Sequence, residues 1–226
     1  MDSSRVAALR WSALLVCTLL SVQARAEDPK PTPENTITVQ LAEPVKPQTF
    51  ARPLKFFLVD VIDRSGNAQP MMVFKPRGGI FLDRTPVEIT RAGLETCLKS
   101  ANMLAADRDS ADFLLTIYLF NFGLSDSSMD FFGKVEFAAM LKNPKTAKSQ
   151  QVAASGTSIA GVAIRKKNIQ KNIQEDIERA FSDALRNLLR GAKLRDAVAA
   201  LDSPANLGPV PARSSAAPAA TDKPLF

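Results

Sequence analysis

The chain of 226 residues contains no histidine. That absence excludes catalytic triads built on an imidazole and the zinc sites that depend on it. Its two cysteines are Cys17, in an apolar N-terminal run, and Cys97. If the N-terminal run is removed, Cys97 stands alone and makes no internal disulfide. An exported domain without disulfides must then rely on its hydrophobic core.

The chain also lacks a long apolar stretch and a strong charge. No stretch reaches the roughly 18 consecutive apolar residues that span a bilayer. The formal charge is +6, and removing residues 1–26 takes away three Arg and one Asp, which leaves +4. This mild excess is spread along the chain and favours anionic surfaces only weakly. We therefore expect no nucleic-acid partner and no transmembrane segment in the mature chain.

Residues 1–26 have the features of a secretion signal. Arg5 and Arg10 make a basic start, and residues 11–22 form an apolar run that is too short to cross a bilayer. Ala24-Arg25-Ala26 fits the small-x-small cleavage rule. We therefore expect cleavage after Ala26 and export to the periplasm. The alternative is that residues 11–22 stay as an N-terminal anchor helix.

A lipid anchor is not expected from this secretion signal. A lipoprotein signal has a small residue directly before the lipidated cysteine. Val16 occupies that place before Cys17, and Cys17 lies in the middle of the apolar run rather than at its end.

Composition divides the remaining chain into three parts. Residues 27–53 are a Pro-rich leader, in which the alternation over Thr36–Leu41 predicts a candidate edge strand. Residues 54–201 carry the periodic apolar patterns of a single folded domain. Residues 202–226 are dominated by Pro, Ala and Ser, and we expect a disordered tail there.

The folded part begins with a strand and a helix. Leu54–Ile62 is apolar and rich in β-branched residues, as in a buried strand. Thr85-Pro86 followed by Glu88 is a capping box with the proline at the first helical position, so a helix begins there and ends near Asn102. Gly93 costs about 1 kcal/mol inside a helix, which indicates a close approach to the sheet.

A hairpin is the centre of the predicted fold. Phe113–Phe122 is apolar on both faces, which is typical of a strand that is covered on both. Val135–Leu141 alternates, and Gln151–Ile159 predicts a thinly packed third strand near an edge. Asn168–Arg190 has one apolar stripe at helical spacing and predicts the strongest helix, and Lys193–Leu201 predicts a short one. The fold class is therefore α+β: a two-layer arrangement in which two amphipathic helices cover an antiparallel-rich sheet of about four strands.

This pattern resembles the YajG-like family of small bacterial envelope lipoproteins over about residues 54–189. The matching stretches are Asp63-Arg64 at the end of the first strand, Gly93-Leu94 with Leu98 in the helix, Ala111-Asp112 before the central strand, and Gly133-Lys134-Val135 in the next. The resemblance implies a non-catalytic role in the envelope and supplies no catalytic residue. The chain departs from the family in lacking the lipid-attachment motif and in having a longer segment after the first strand.

Two loops were candidates for ligand chemistry and do not fit it. Asp126 and Asp130 lie in a serine-rich turn, without the longer spaced set of a helix-loop-helix calcium site. Arg77-Gly78-Gly79 lacks the Gly-Lys-Ser/Thr element of a phosphate loop. We therefore expect no metal and no cofactor.

Two single residues also have alternative interpretations. Asp60 interrupts an apolar strand. It either pairs with Arg64 or Arg84 in a functional site or faces solvent on the open side of the sheet. Cys97 falls on the inner face of its helix, where we expect a buried inert thiol rather than a reactive one. No catalytic residue is predicted.

Two sets of residues are candidates for contacts with other molecules. The candidate interaction face is the outward side of the central strand: Thr116, Tyr118, Phe120 and Phe122. If both helices pack on the other side, this face needs a cover, which the Met71–Leu82 segment, a second copy, an envelope protein or an acyl chain would supply. The candidate anion contact is the basic start of the last helix, where the alternative is an ordinary solvated helix end: Arg165, Lys166, Lys167 and Lys171.

These observations define two alternative functions. The leading one is a non-catalytic accessory or adaptor protein of the cell envelope, acting by contact with another envelope protein or with itself. The alternative is a periplasmic carrier for a lipid or other hydrophobic ligand. A carrier needs a cavity lined by Phe, Leu and Met, whereas an adaptor needs a packed interior and an exposed apolar patch. An enzyme would need clustered carboxylates, which the sequence does not show.

Overall fold

The computed structural model describes residues 30–66, 72–74, 79–127, 130–158 and 168–202. The strands are β1 (Thr36–Ile37), β2 (Phe56–Asp63), β3 (Met72–Phe74), β4 (Ile80–Leu82), β5 (Phe113–Ser127), β6 (Asp130–Lys142) and β7 (Ser149–Thr157). The α-helices are α1 (Pro86–Ser100), α2 (Ile169–Arg190) and α3 (Ala192–Asp202). The predicted signal peptide and the C-terminal tail after Asp202, the last residue of α3, lie outside the described residues.

The central sheet has four strands in the order β2-β5-β6-β7. Strands β2 and β5 are parallel, and β5, β6 and β7 form an antiparallel meander. The parallel pair requires a crossover, which α1 supplies between β2 and β5. The predicted α+β class and the antiparallel-rich sheet are confirmed.

Helix α1 begins and ends where the sequence predicts. The Thr85 hydroxyl accepts a hydrogen bond from the Glu88 backbone N–H at 3.2 Å, and the Glu88 carboxylate accepts one from the Thr85 N–H at 2.8 Å. This is the predicted capping box, with Pro86 as the first helical residue. After Ser100 the chain leaves the helix, and Asn102 has a φ of +54°.

Both long helices pack on one face of the central sheet. Helix α1 lies against β2, and α2 lies against β5, β6 and β7. Alternate residues of the strands face these helices and are almost fully buried, including Ile117, Leu119, Val135, Phe137 and Leu141. From α2 the same core receives Ile173, Ile177, Phe181 and Leu185. The result is a two-layer structure whose other sheet face carries no described helix.

The Pro-rich leader belongs to the fold. The predicted edge strand is present but shorter, as β1, and it pairs in parallel with β4 in a small second sheet of order β1-β4-β3. Ile37 and Val39 are buried in the main core. The Val45 backbone N–H donates to the Cys97 Sγ at 3.3 Å, which ties the leader to α1.

Close approaches at glycines set the position of α2. A Cβ at Gly156 of β7 would collide with the backbone of Ala180, and one at Gly133 of β6 with the backbone of Asp176. Gly93 of α1 was expected to approach the sheet. It approaches α2 instead: a Cβ there would lie 2.6 Å from Cζ of Phe181.

A β-bulge in β5 corrects one predicted facing. Strict alternation placed Phe122 on the outward side with Tyr118 and Phe120. The register against β6 shifts between Leu119 and Asn121, so Phe120 is the extra residue and the alternation restarts after it. Leu119 and Phe122 are therefore both fully buried on the helix side. Phe122 belongs to the core, with its ring centroid 5.6 Å from that of Phe181.

Candidate functional site

The sheet surface opposite the helices is the best candidate for a functional site. We call it the open face, and it consists of Phe57, Val59, Ile62, Thr116, Tyr118, Phe120 and Met140. These side chains are half-buried except for Phe120, which is 49% exposed. Among the described residues, Phe120 is the exposed large hydrophobic side chain. A contiguous apolar surface is a candidate contact site, whereas apolar side chains exposed singly are ordinary.

Strand register assembles the open face from three strands. Ile62 of β2 lies opposite Tyr118 of β5, which lies opposite Ala138 of β6. Thr116 lies opposite Met140 in the adjacent row. Three of the four predicted interaction residues, Thr116, Tyr118 and Phe120, are thus brought together. The hairpin predicted β6 as one neighbour of β5, with Ala138 and Met140 facing out or half out. Sequence reasoning missed the contribution of β2, since the parallel pairing of β2 with β5 has no local signal.

A basic side chain lies at the rim of this face. The guanidinium carbon of Arg64 lies 5.8 Å from the centroid of the Tyr118 ring, within range of a cation–π contact. Arg64 directly follows β2, and its backbone N–H donates to the Leu119 carbonyl at 2.7 Å. At an exposed site such a contact contributes about 0.5–1 kcal/mol, so it favours this orientation of the Tyr118 ring.

One end of the open face has its own cover. Ala105, Ala111 and Leu114 form a second hydrophobic cluster, against which Phe57 and Val59 pack. The segment after α1 therefore shields the β2 end. The Met71–Leu82 segment, one of the expected covers, contributes β3 and β4 to the small sheet. Strand β3 contacts β5, and Ile80 and Leu82 join the main core.

The candidate anion contact is described only in part. Arg165, Lys166 and Lys167 lie outside the described residues. Lys171 is exposed on α2, with its Nζ 3.9 Å from a carboxylate oxygen of Glu175. This is an ordinary surface pair one helical turn apart, worth about 0.3–0.5 kcal/mol.

Asp60 has a structural partner that the sequence did not indicate. Its carboxylate accepts a hydrogen bond from Arg91 of α1 at 3.0 Å, rather than from Arg64 or Arg84. Arg84 instead donates to the Val39 carbonyl at 3.0 Å. Asp60 is exposed and Arg91 is half-buried at the surface, so the pair contributes at most about 1 kcal/mol.

The other residues considered for chemistry have no described catalytic arrangement. Cys97 is fully buried, and burial raises the pKa of its thiol. The side chains of Asp126 and Asp130 are outside the described part of the structure, as are Arg77 and Gly78. Within the part that is described, no group of three or more Cys, Asp or Glu side chains is placed to hold a metal ion.

The interior between helices and sheet is closely packed. An apolar cavity there, of about 10 Å³, is lined by Phe56, Leu98, Met103, Leu115 and Leu188 among others. A cavity of this volume holds about one water molecule. An acyl chain does not fit in it.

A larger cleft lies on the surface between the leader and α2. It has a volume of about 550 Å³ and is lined by residues 42–46 together with Glu175, Glu178, Arg179, Ser182, Arg186 and Arg190. Charges of both signs line it, and some are already paired, as Arg179 is with Glu175 at 3.5 Å. Its lining therefore suits neither a hydrophobic ligand nor a strongly charged one.

Comparison with known proteins shows what this chain is similar to. No protein-family model matches the sequence, and no curated protein sequence matches it significantly. Of the helices in the described residues, none has the length and hydrophobicity needed to cross a membrane.

Solved structures resemble this chain to different degrees. Protein XCC0632 from Xanthomonas campestris, of the DUF330 family model, matches with a TM-score of 0.53 at 11% identity, over 71% of this chain and 95% of that chain. Protein CT253 from Chlamydia trachomatis matches with a TM-score of 0.40 at 11% identity, over 66% and 99%. Lipoprotein GNA1162 from Neisseria meningitidis matches with a TM-score of 0.27 at 14% identity, over 54% and 94%. The resemblance to the YajG-like family remains a prediction, and the chain shares with XCC0632 its α+β fold.

Proposed function

We propose that this protein is a non-catalytic, exported accessory protein of the bacterial cell envelope that binds another envelope protein through the open face of its sheet. The observation that carries the proposal is the contrast between the two faces. One face is sealed by α1 and α2 around a packed core. The other presents Tyr118 and Phe120 without a described helix above them.

The composition of the open face suits a protein partner. Aromatic side chains and Met are enriched in the centres of protein interfaces, and Tyr and Arg are frequent among the residues that dominate binding energy. The Arg64 guanidinium lies near the Tyr118 ring, and Phe120 is the bulged residue of β5 that has no partner in β6. Burying apolar surface contributes about 25 cal/mol per Å². Phe120 is therefore the expected anchor of the contact.

The packed interior argues against the carrier function. A carrier of a lipid needs a pocket of roughly 300–1,000 Å³ lined mainly by apolar side chains. The apolar cavity beneath the sheet measures about 10 Å³. The secretion-signal features of residues 1–26 support export, and the fold similarity to XCC0632 is compatible with the proposal without testing it.

Crosslinking and affinity capture of the tagged mature protein from its own envelope tests this proposal. Wild type is compared with Phe120→Asp, and with Ala92→Asp on the exposed side of α1 as the matched control. Proteins and extracted lipids are both identified by mass spectrometry. We expect one envelope protein in near-stoichiometric amount with wild type and Ala92→Asp, and its loss with Phe120→Asp. Recovery of lipid without a protein, or equal capture by Phe120→Asp, contradicts the proposal.

A further inference from the structure

The two edge strands of the central sheet, β2 and β7, differ in how well they are protected from pairing with another chain. At the β2 edge, the Phe56 N–H donates to the Met103 carbonyl at 2.8 Å and the Phe56 carbonyl accepts from the Ala105 N–H at 2.9 Å. The register of β2 shifts at Val59, and the Asp60–Arg91 ion pair follows. Covering, bulging and charge are the devices by which proteins prevent an edge strand from pairing with another chain.

The β7 edge has almost none of these devices. Its nine residues, Ser149–Thr157, include no charged residue and no proline. It pairs with β6 without a register shift. The side chains of Gln151, Ala153, Ser155 and Thr157 are exposed, and those of Val152 and Ala154 are buried beneath α2.

Flanking hydrogen bonds show which backbone groups of β7 point outward. The Ser158 N–H donates to the Gly133 carbonyl at 2.9 Å, and the Asn143 N–H to the Lys148 carbonyl at 2.9 Å. Even-numbered residues therefore bond to β6, and odd-numbered residues direct their N–H and C=O groups away from the sheet.

One outward group of β7 is already satisfied. The Asn187 amide of α2 donates to the Ser155 carbonyl at 2.7 Å. No described residue pairs with the outward groups of Gln151 and Ala153. The available part of the edge is thus the stretch around these two residues, with α2 limiting it at Ser155.

We propose that β7 pairs with β7 of a second copy of this chain, antiparallel and across a two-fold axis near Gln151 and Ala153. The pairing extends the sheet to eight strands, four from each copy. In an isologous contact, a residue near the two-fold axis lies close to its own copy, so a charge there would be repelled by the same charge of the second copy. Between Ser149 and Thr157 there is no charge to repel. The strand is thereby complementary to itself, whereas the β2 edge is not.

The proposal also joins two open faces. The odd-numbered side chains of β7 lie on the same side of the sheet as Ala138 and Met140, since Ala153 is opposite Ala138 and Gln151 is opposite Met140. A β7–β7 contact therefore places both copies of the open face on one continuous surface. A dimeric envelope partner is the kind of protein that fits such a surface.

Sedimentation equilibrium of the mature protein over a concentration series tests the pairing. We expect twice the monomer mass for wild type and for Ala200→Lys, a control on the exposed side of α3. Ala153→Lys places like charges together, and Ala153→Pro removes an outward N–H that the β6 ladder does not use. Both variants are expected to remain folded by circular dichroism and to sediment as monomers.

A second measurement locates the contact. A mixture of the Gln151→Cys and Ala153→Cys variants should form a disulfide-linked dimer on mild oxidation, because the pairing places residue 151 of one copy opposite residue 153 of the other. The Ala200→Cys variant should not, because Ala200 lies away from the contact, and the native Cys97 is buried and does not compete. A monomeric wild type overturns the proposal, as does a dimer that both Ala153→Lys and Ala153→Pro retain. Loss of the envelope partner by Phe120→Asp with the dimer unchanged separates this contact from the function proposed above.

Discussion

The ring of Phe181 on α2 occupies the place where a side chain at Gly93 of α1 would lie. A Cβ at Gly93 would be 2.6 Å from Cζ and 2.8 Å from Cε1 of that ring. The ring is also held on its other side by Phe122 of β5, at 5.6 Å between centroids. One fully buried aromatic side chain thus fixes the two helices relative to each other and to the sheet.

Gly93→Ala should destabilise the protein despite its better helix propensity. Alanine gains about 1 kcal/mol in a helix interior, but overpacking a core costs roughly 1–3 kcal/mol. Because Phe181 is also packed against Phe122, its ring has little room to move away. We expect a net loss of about 1 kcal/mol in the free energy of unfolding, measured by urea denaturation.

A double-mutant cycle separates overpacking from other causes. Phe181→Leu alone should destabilise by leaving a cavity, and Gly93→Ala should cost less in that background than in wild type. If Gly93→Ala is as stable as wild type, the close approach does not govern the packing of α1 against α2.

Local sequence signals predicted the helices and strands well, whereas contacts and strand pairing between residues far apart in the sequence were predicted poorly. The capping box at Thr85 and Glu88 gave the start of α1 because it depends on residues only three apart. The predicted contact of Gly93 with the sheet was wrong, because a glycine within a helix indicates a close approach but does not identify the contacting residue. Phe122 was placed on the wrong face because alternation assumes a regular strand, and the bulge at Phe120 has no marker such as glycine or proline. For the same reason, the predicted interaction face contained residues of β5 alone, because the local sequence does not determine which strand pairs with β5 on its other side.

Phe120 and Phe122 give a direct test of that bulge. Phe120 is 49% exposed and Phe122 is fully buried. Phe120→Ala should change the free energy of unfolding by no more than about 0.5 kcal/mol. Phe122→Ala should lower it by about 3–5 kcal/mol, since a large core side chain is replaced by a cavity. Chemical denaturation of the two variants measures this difference, and similar losses in both would show that β5 alternates without the bulge.

The Cys97 thiol should be inert in the native protein. It is fully buried, burial raises its pKa, and the hydrogen bond from the Val45 N–H lowers it only in part. The thiolate is the reactive form, so a thiol-specific reagent at mildly alkaline pH should label Cys97 only on unfolding. Labelling should become fast through the urea transition, and the exposed thiol of Ala200→Cys should react at once without denaturant. Rapid native labelling of Cys97 would mean that the leader opens around Val45.

Asp176 should make stability depend on pH in a sense opposite to that of a salt-bridged carboxylate. It is buried on α2 at 3% exposure, and its carboxylate accepts a hydrogen bond from the Ser158 hydroxyl at 2.6 Å. Burial raises the pKa of Asp176 above its usual value, and the Ser158 hydrogen bond offsets this in part. The folded protein therefore binds more protons at this site than the unfolded chain. As pH rises from the unfolded pKa through the folded one, this site lowers the free energy of unfolding.

Two substitutions at this pair check the sign. Asp176→Asn keeps an acceptor for Ser158 without the buried charge, so its stability relative to wild type should increase from acidic to neutral pH. Ser158→Ala removes the donor to the ionised carboxylate and should cost about 1.5–3 kcal/mol at neutral pH, and less in acid. Urea denaturation of both variants across the acidic to neutral range measures these differences. If Asp176→Asn instead loses stability relative to wild type as pH rises, the ionised carboxylate stabilises the fold, and its hydrogen bond from Ser158 together with the nearby charge of Arg179 outweighs its burial.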